Sequence, residues 1–94
     1  MRRAARIDRN QPEIVKALRM MGATVQPIHT IGHGCPDLLV GYRGHNIVME
    51  VKDEQKPPSA RALTADEMMW HVMWQGQVCV VNSVDEALAV IGAR

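Results

Sequence analysis

Gly34-Cys35-Pro36-Asp37-Leu38-Leu39-Val40-Gly41-Tyr42-Arg43-Gly44-His45-Asn46-Ile47-Val48-Met49-Glu50-Val51-Lys52 is the stretch that decides how this chain folds. Two apolar runs, Asp37 to Tyr42 and Asn46 to Lys52, flank Arg43-Gly44-His45, and the pattern predicts two strands joined by a tight hairpin turn. In the second strand successive side chains alternate, so Val48, Glu50 and Lys52 face one way and Ile47, Met49 and Val51 the other. A Glu and a Lys two apart on one face of a central strand are costly to bury unless paired or bound to a metal. Asp37 opens the first strand directly after a loop carrying Gly32, Gly34 and Pro36, and hairpin pairing brings it toward the end of the sheet that holds Glu50 and Lys52.

Upstream, Asn10-Gln11-Pro12-Glu13 reads as a helix start, with Asn10 as cap, Pro12 in the first turn and Glu13 three residues past the cap. Ile14, Leu18 and Met21, with Val15, recur at helical spacing, and Gly22 ends a helix expected over residues 11–21. Thr24 to Ile28 reads as a strand and His29 to Pro36 as a loop. Downstream, the polar segment Asp53 to Ala62, with Pro57-Pro58 and Ser59, is expected as an exposed loop. Thr64 with Glu67 is a capping-box pattern opening a helix that carries Met69, Trp70, Met73 and Trp74 and stops at Gly76. Val78 to Val81 reads as a strand buried on both faces, and Ser83 with Glu86 opens a closing helix bearing Ala87, Leu88, Val90 and Ile91. The expected fold is α/β, in the order α-β-β-β-α-β-α, with a mixed four-stranded sheet flanked by helices. Its last β-α-β unit is expected to be parallel and right-handed.

Ninety-four residues suit one domain over 1–94. Apolar residues make up 47% of the chain and exclude wholesale disorder, while aromatics are 3% and Phe is absent. The core is therefore expected to be built from Val, Ile, Leu, Ala and the seven Met, and to be plastic. A net charge of +1 does not mark a strongly basic nucleic-acid binder. Arg2, Arg3, Arg6 and Arg9 do crowd residues 1–9, as a phosphate-contacting arm or as a flexible solvated terminus. Cys35 and Cys79 do not make a disulfide framework, no signal peptide is visible, and the apolar runs are too short to span a bilayer. The expectation is a soluble, cytoplasmic chain with no membrane partner and no organic cofactor.

Two carboxylates beside a lysine suit metal-assisted phosphodiester hydrolysis. Asp37 and Glu50 are hard oxygen ligands of the kind Mg²⁺ or Mn²⁺ takes, and Lys52 can orient water or stabilise charge on phosphate oxygens. The bland alternative is a structural ion pair on a half-exposed sheet.

The wider pattern resembles the PD-(D/E)XK nuclease superfamily, in Pro36-Asp37, a hairpin, then Glu50-Val51-Lys52. Within it the chain resembles the VRR-NUC family in its small stand-alone phage and bacterial form. That likeness takes in Glu13, the Gly34-Cys35-Pro36-Asp37 loop, Leu63-Thr64, Trp74-Gln75-Gly76, and Val80-Val81 before a Ser-initiated helix, or roughly residues 10 to 92. The resemblance implies a restriction-endonuclease-like core and a metal held by Asp37, Glu50 and the main-chain carbonyl of Val51. It also implies Lys52 as the catalytic lysine and Glu13 reaching the metal directly or through water. Where the family often has a Gln, this chain has Glu67. The implied function is a divalent-metal-dependent DNA endonuclease, structure-specific for a junction, flap or nick. Its likeness to junction resolvases implies a homodimer. The rival is a non-catalytic nucleic-acid-binding module on the same fold.

Other residues carry paired readings. Capping explains Glu13 without chemistry, and for Glu67 capping is the preferred account. His29, His33 and Cys35 invite a zinc site but lack a fourth ligand, and His33 beside the site mouth is a candidate phosphate contact. Lys56, Arg61 and Arg43 are candidate DNA contacts, although basic residues in exposed loops also serve solubility. Trp70 and Trp74, four apart, suit base stacking or the core, with at least one expected in the core. His71 and Cys79 read as packing residues.

Overall fold

The computed structural model describes residues 7–93. Its elements are α1 (Gln11–Met20), β1 (Thr24–Pro27), a 3₁₀ turn (His29–Ile31), β2 (Leu38–Tyr42), β3 (His45–Val51), α2 (Pro58–Arg61), α3 (Ala65–Met73), β4 (Val78–Val81) and α4 (Val84–Val90). The strands form one mixed sheet in the order β1-β2-β3-β4, antiparallel for the first two pairings and parallel between β3 and β4. The anticipated α/β architecture is the one observed. The addition is α2, which starts with Pro58 at its first helical position inside what read as loop. Arg2, Arg3 and Arg6, three of the four arginines of the basic N-terminus, lie outside the described residues.

The hairpin fixes the register. Arg43 and Gly44, at φ 49° and 83°, form a two-residue turn whose positive φ values match strand twist. Leu38 therefore faces Met49 and Tyr42 faces His45. Leu38, Val40, Ile47, Met49 and Val51 share one face and join Ile14 and Leu18 of α1 and Ala87 and Leu88 of α4 in the core. Burying each such side chain contributes about 1.5–3 kcal/mol. Of the methionines described, only Met49 is buried; Met20, Met21, Met68, Met69 and Met73 are exposed. The core is thus aliphatic rather than Met-built.

α1 ends as anticipated: at Gly22 (φ 97°) the chain turns left-handed, Gly22 N–H donates to the Arg19 carbonyl (3.0 Å) and Ala23 N–H to that of Leu18 (3.1 Å). Its start differs. The Asn10 side chain caps nothing; its Nδ2 donates to the carbonyls of Lys52 (3.0 Å) and Asn82 (3.2 Å) and ties α1 to the ends of β3 and β4. α3 has no buried residue, so the expectation of a core tryptophan fails. Trp70 and Trp74 instead stack on each other, centroids 4.6 Å apart, with Trp74 exposed. β4 is likewise buried only at Val81, because it lies at the sheet edge. No helix among the described residues is long and apolar enough to cross a membrane.

Candidate active site

Where β2 begins and β3 ends, the ladder runs out and polar side chains take over the face opposite the core. Asp37 N–H donates to the Met49 carbonyl (3.0 Å), which sets Asp37 beside Glu50 on that face. Val48 and Lys52 direct their N–H groups to β4, so Val51 turns its main-chain groups the other way, toward Asp37. Val51 N–H donates to Asp37 Oδ2 at 2.8 Å, and the Val51 carbonyl lies along the same edge by the same alternation.

Glu50 is buried and lies within hydrogen-bonding reach of Asp37. Burial, and then the Asp37 charge, push its carboxyl up to about 9; burial also raises Asp37, against the hydrogen bond from Val51. Without a cation Glu50 therefore keeps its proton beside Asp37, and its Oε1 is buried with no partner. Lys52 Nζ stands 3.7 Å from Glu50 Oε2 and 2.9 Å from Glu67 Oε1. Burial pulls the Lys52 pKa down, but the Glu67 hydrogen bond and charge outweigh it and the net shift is upward. Glu67 moves down because the Lys52 hydrogen bond overcomes its burial.

These residues line a cavity of about 400 Å³ with Asp8, His29, His33, Cys35, Thr64 and Asp66. Gly34 closes it: at φ 82°, its α-carbon faces the start of α3 so closely that a Cβ would strike the Asp66 carbonyl oxygen and come within 2.9 Å of Glu67 N. Cys35 is raised by burial and then by the nearby carboxylates, so its thiol stays protonated.

Asp37, Glu50, Val51 and Lys52 are therefore brought together, and His33 lies at their rim, exposed and at φ 57°. Other expected site residues are elsewhere. Glu13 is exposed and lines a separate groove with Arg9, Asp53 and Asn82, because the turn of α1 that buries Ile14 and Leu18 aims it away. The acid from the N-terminal side is Asp8, just before α1, which the sequence reading missed. Its only signal was a single acid among arginines. Lys56 is paired with Asp8 (2.6 Å), and Arg61 Nε donates to the Lys56 carbonyl (2.9 Å), so both side chains are tied into this loop rather than into the carboxylate pair. Arg43 lies over the Tyr42 ring at the far end of the hairpin, six residues from Asp37 and so about 20 Å away at strand rise.

Among the described residues no set of three His, Cys, Asp or Glu side chains is arranged to hold a metal, and His29, His33 and Cys35 form no zinc site. The Asp37–Glu50 pair nonetheless fits a hard divalent cation. Mg²⁺ keeps most of its waters and needs only one or two carboxylates, and the unpartnered Glu50 Oε1 is an oxygen that such an ion would satisfy.

An α/β sheet with paired carboxylates and a lysine at the end of a hairpin is a nuclease-type domain. A solved structure described as a VRR_NUC domain matches at 28% identity with a TM-score of 0.66, over 89% of this chain and 91% of that one. Fold and strand motif together make this chain similar to that VRR_NUC domain and support a nuclease-type domain. No family model and no curated protein matches the sequence.

Proposed function

We propose that the chain is a divalent-metal-dependent DNA endonuclease, with Mg²⁺ or Mn²⁺ held by Asp37, Glu50 and the Val51 carbonyl. The observation that carries this reading is the Asp37–Glu50 carboxyl pair, in which Glu50 is buried, is raised to about 9 by that burial and by Asp37, and has one oxygen with no partner. Ionising both carboxyls is costly unless a cation joins them, since each charge raises the cost of the other. When bound, the ion supplies a polarised phosphoryl group and a water of lowered pKa.

The protein's own share is orientation. Val51 N–H fixes the Asp37 carboxylate, burial keeps competing water from Glu50, and the Lys52 ammonium stands beside Glu50 to meet charge developing on a phosphate oxygen. His33, at the rim of the same cavity, would contact a flanking phosphate.

We further propose a structure-specific homodimer. One chain is too small to surround a duplex, and α3 leaves Met68, Met69, Val72, Met73 and Trp74 exposed, an apolar surface of the kind a partner covers. The test is a panel of flap, nicked, splayed and four-way-junction DNA incubated with Mg²⁺, with Mn²⁺ and with EDTA. Cutting of branched over linear duplex, abolished by EDTA, is expected. Cutting in EDTA removes the metal from the reading, and a monodisperse monomer in concentrated solution scattering removes the dimer.

A further inference from the structure

Glu67 stands at the position where the family resemblance leads one to expect a glutamine, and its surroundings say what the extra charge does. It is the third residue of α3. Its N–H donates to Thr64 Oγ1 (3.2 Å), and its Oε1 accepts from Thr64 N–H (2.9 Å), so both halves of a capping box are formed. The same Oε1 accepts from Lys52 Nζ at 2.9 Å. One oxygen therefore both caps the helix and holds the lysine. The mount is stiff: Gly34, two residues before the buried Pro36 and three before Asp37, packs directly against the Asp66–Glu67 peptide. Asp37, Glu50, Lys52 and Glu67 thus reach one cavity from three segments locked together, the loop before β2, the end of β3 and the start of α3.

We propose that Glu67 is a positioning residue for Lys52. Lysine carries a flexible four-carbon stem and about 2 kcal/mol of rotamer entropy, so an unheld ammonium samples many positions. Glu67 fixes Nζ in one of them, 3.7 Å from Glu50, where the reacting phosphate would sit. Glutamine fills the same capping box, because the box needs a side-chain oxygen and not a charge. The substitution therefore keeps the cap while replacing the charge-assisted bond to Lys52 with a weaker neutral one.

The kinetic part of this proposal rests on the nuclease reading of the site; the structural part does not. Glu67→Gln is compared with wild type by thermal melting, by ammonium-selective ¹H–¹⁵N spectra, and by cleavage of the preferred DNA. The melting temperature is expected to stay within about 2 °C, since the cap survives. A slowly exchanging ammonium signal, assigned to Lys52 by its loss in Lys52→Arg, is expected in wild type and absent in Glu67→Gln. kcat is expected to fall about tenfold or more with KM changed less than about twofold. In a Lys52→Ala background Glu67→Gln should cost nothing further, because its effect passes through the lysine. An unchanged ammonium signal, an unchanged kcat, or full additivity with Lys52→Ala would each overturn the proposal. If wild type cuts no DNA, the nuclease reading falls, and the ammonium signal alone decides whether Glu67 holds Lys52.

Discussion

Val51 hands its backbone N–H to the Asp37 carboxylate across 2.8 Å, two residues past Met49, where the pairing of β2 with β3 ends. A side chain takes the place of the next main-chain acceptor, so the acid is held by the sheet itself. The carboxyl pair it forms with Glu50 should leave clear marks on stability as well as on activity.

The first concerns pH. Glu50 is raised from an ordinary value of 4.5 to about 9 in the folded protein, so the native state holds a proton that the unfolded chain gives up. Its contribution is fully present below about 4.5 and is lost as pH climbs through 9. Metal-free protein should therefore melt at progressively lower temperature from pH 5 to pH 9. Glu50→Gln should flatten that slope and raise the melting temperature at pH 8 while abolishing cleavage. A wild-type melting temperature rising with pH over this range would contradict the buried pair.

A cation should reverse the penalty. Millimolar Mg²⁺ or Mn²⁺ is expected to raise the melting temperature of wild type through binding to the native state, by about 2.7 kcal/mol at a hundred times Kd. Asp37→Asn and Glu50→Gln should show no such shift. Equal shifts in all three proteins would place the ion elsewhere.

For Lys52, replacement by Ala is expected to lower kcat by about 10²–10³, the usual loss for a group that meets developing charge. Arg should not restore it, because its planar fork cannot take the point position of Nζ between Glu50 and Glu67. Single-turnover cleavage with saturating protein measures this directly.

Gly34→Ala should be among the most damaging small changes in the chain. It adds a Cβ where the Asp66 carbonyl already stands and demands φ 82° of an L-residue, at a combined cost of more than about 2 kcal/mol. Urea unfolding reads the loss.

Glu13→Ala, by contrast, should leave cleavage within about twofold of wild type, since Glu13 opens onto a different groove. That contrast shows what the sequence could and could not convey. Strand alternation has a period of two and a tight turn joins the two strands, so Asp37 could be brought to the same end of the sheet as Glu50 and Lys52 from the residues alone. The angular position of Glu13 around α1 depends on how that helix is rotated against the sheet, which Ile14 and Leu18 fix only in three dimensions. Asp8 carries no periodic signal, being outside any element. The Trp70–Trp74 spacing announces an apolar stripe but not what the stripe meets, and here it meets solvent. Thr64 and Glu67 spell a capping box in the sequence; nothing local says that the same oxygen also reaches Lys52, fifteen residues away.

The placement of the methionines has a chemical corollary. Met68, Met69 and Met73 line the outside of α3, while Met49 alone among the described methionines is sealed within the sheet. Peroxide would reach the former and spare the latter, turning a greasy helix face into a row of polar sulfoxides without loosening the interior. Any assembly that relies on that face would come apart under mild oxidation and return with methionine sulfoxide reductase, while each separated chain stayed folded.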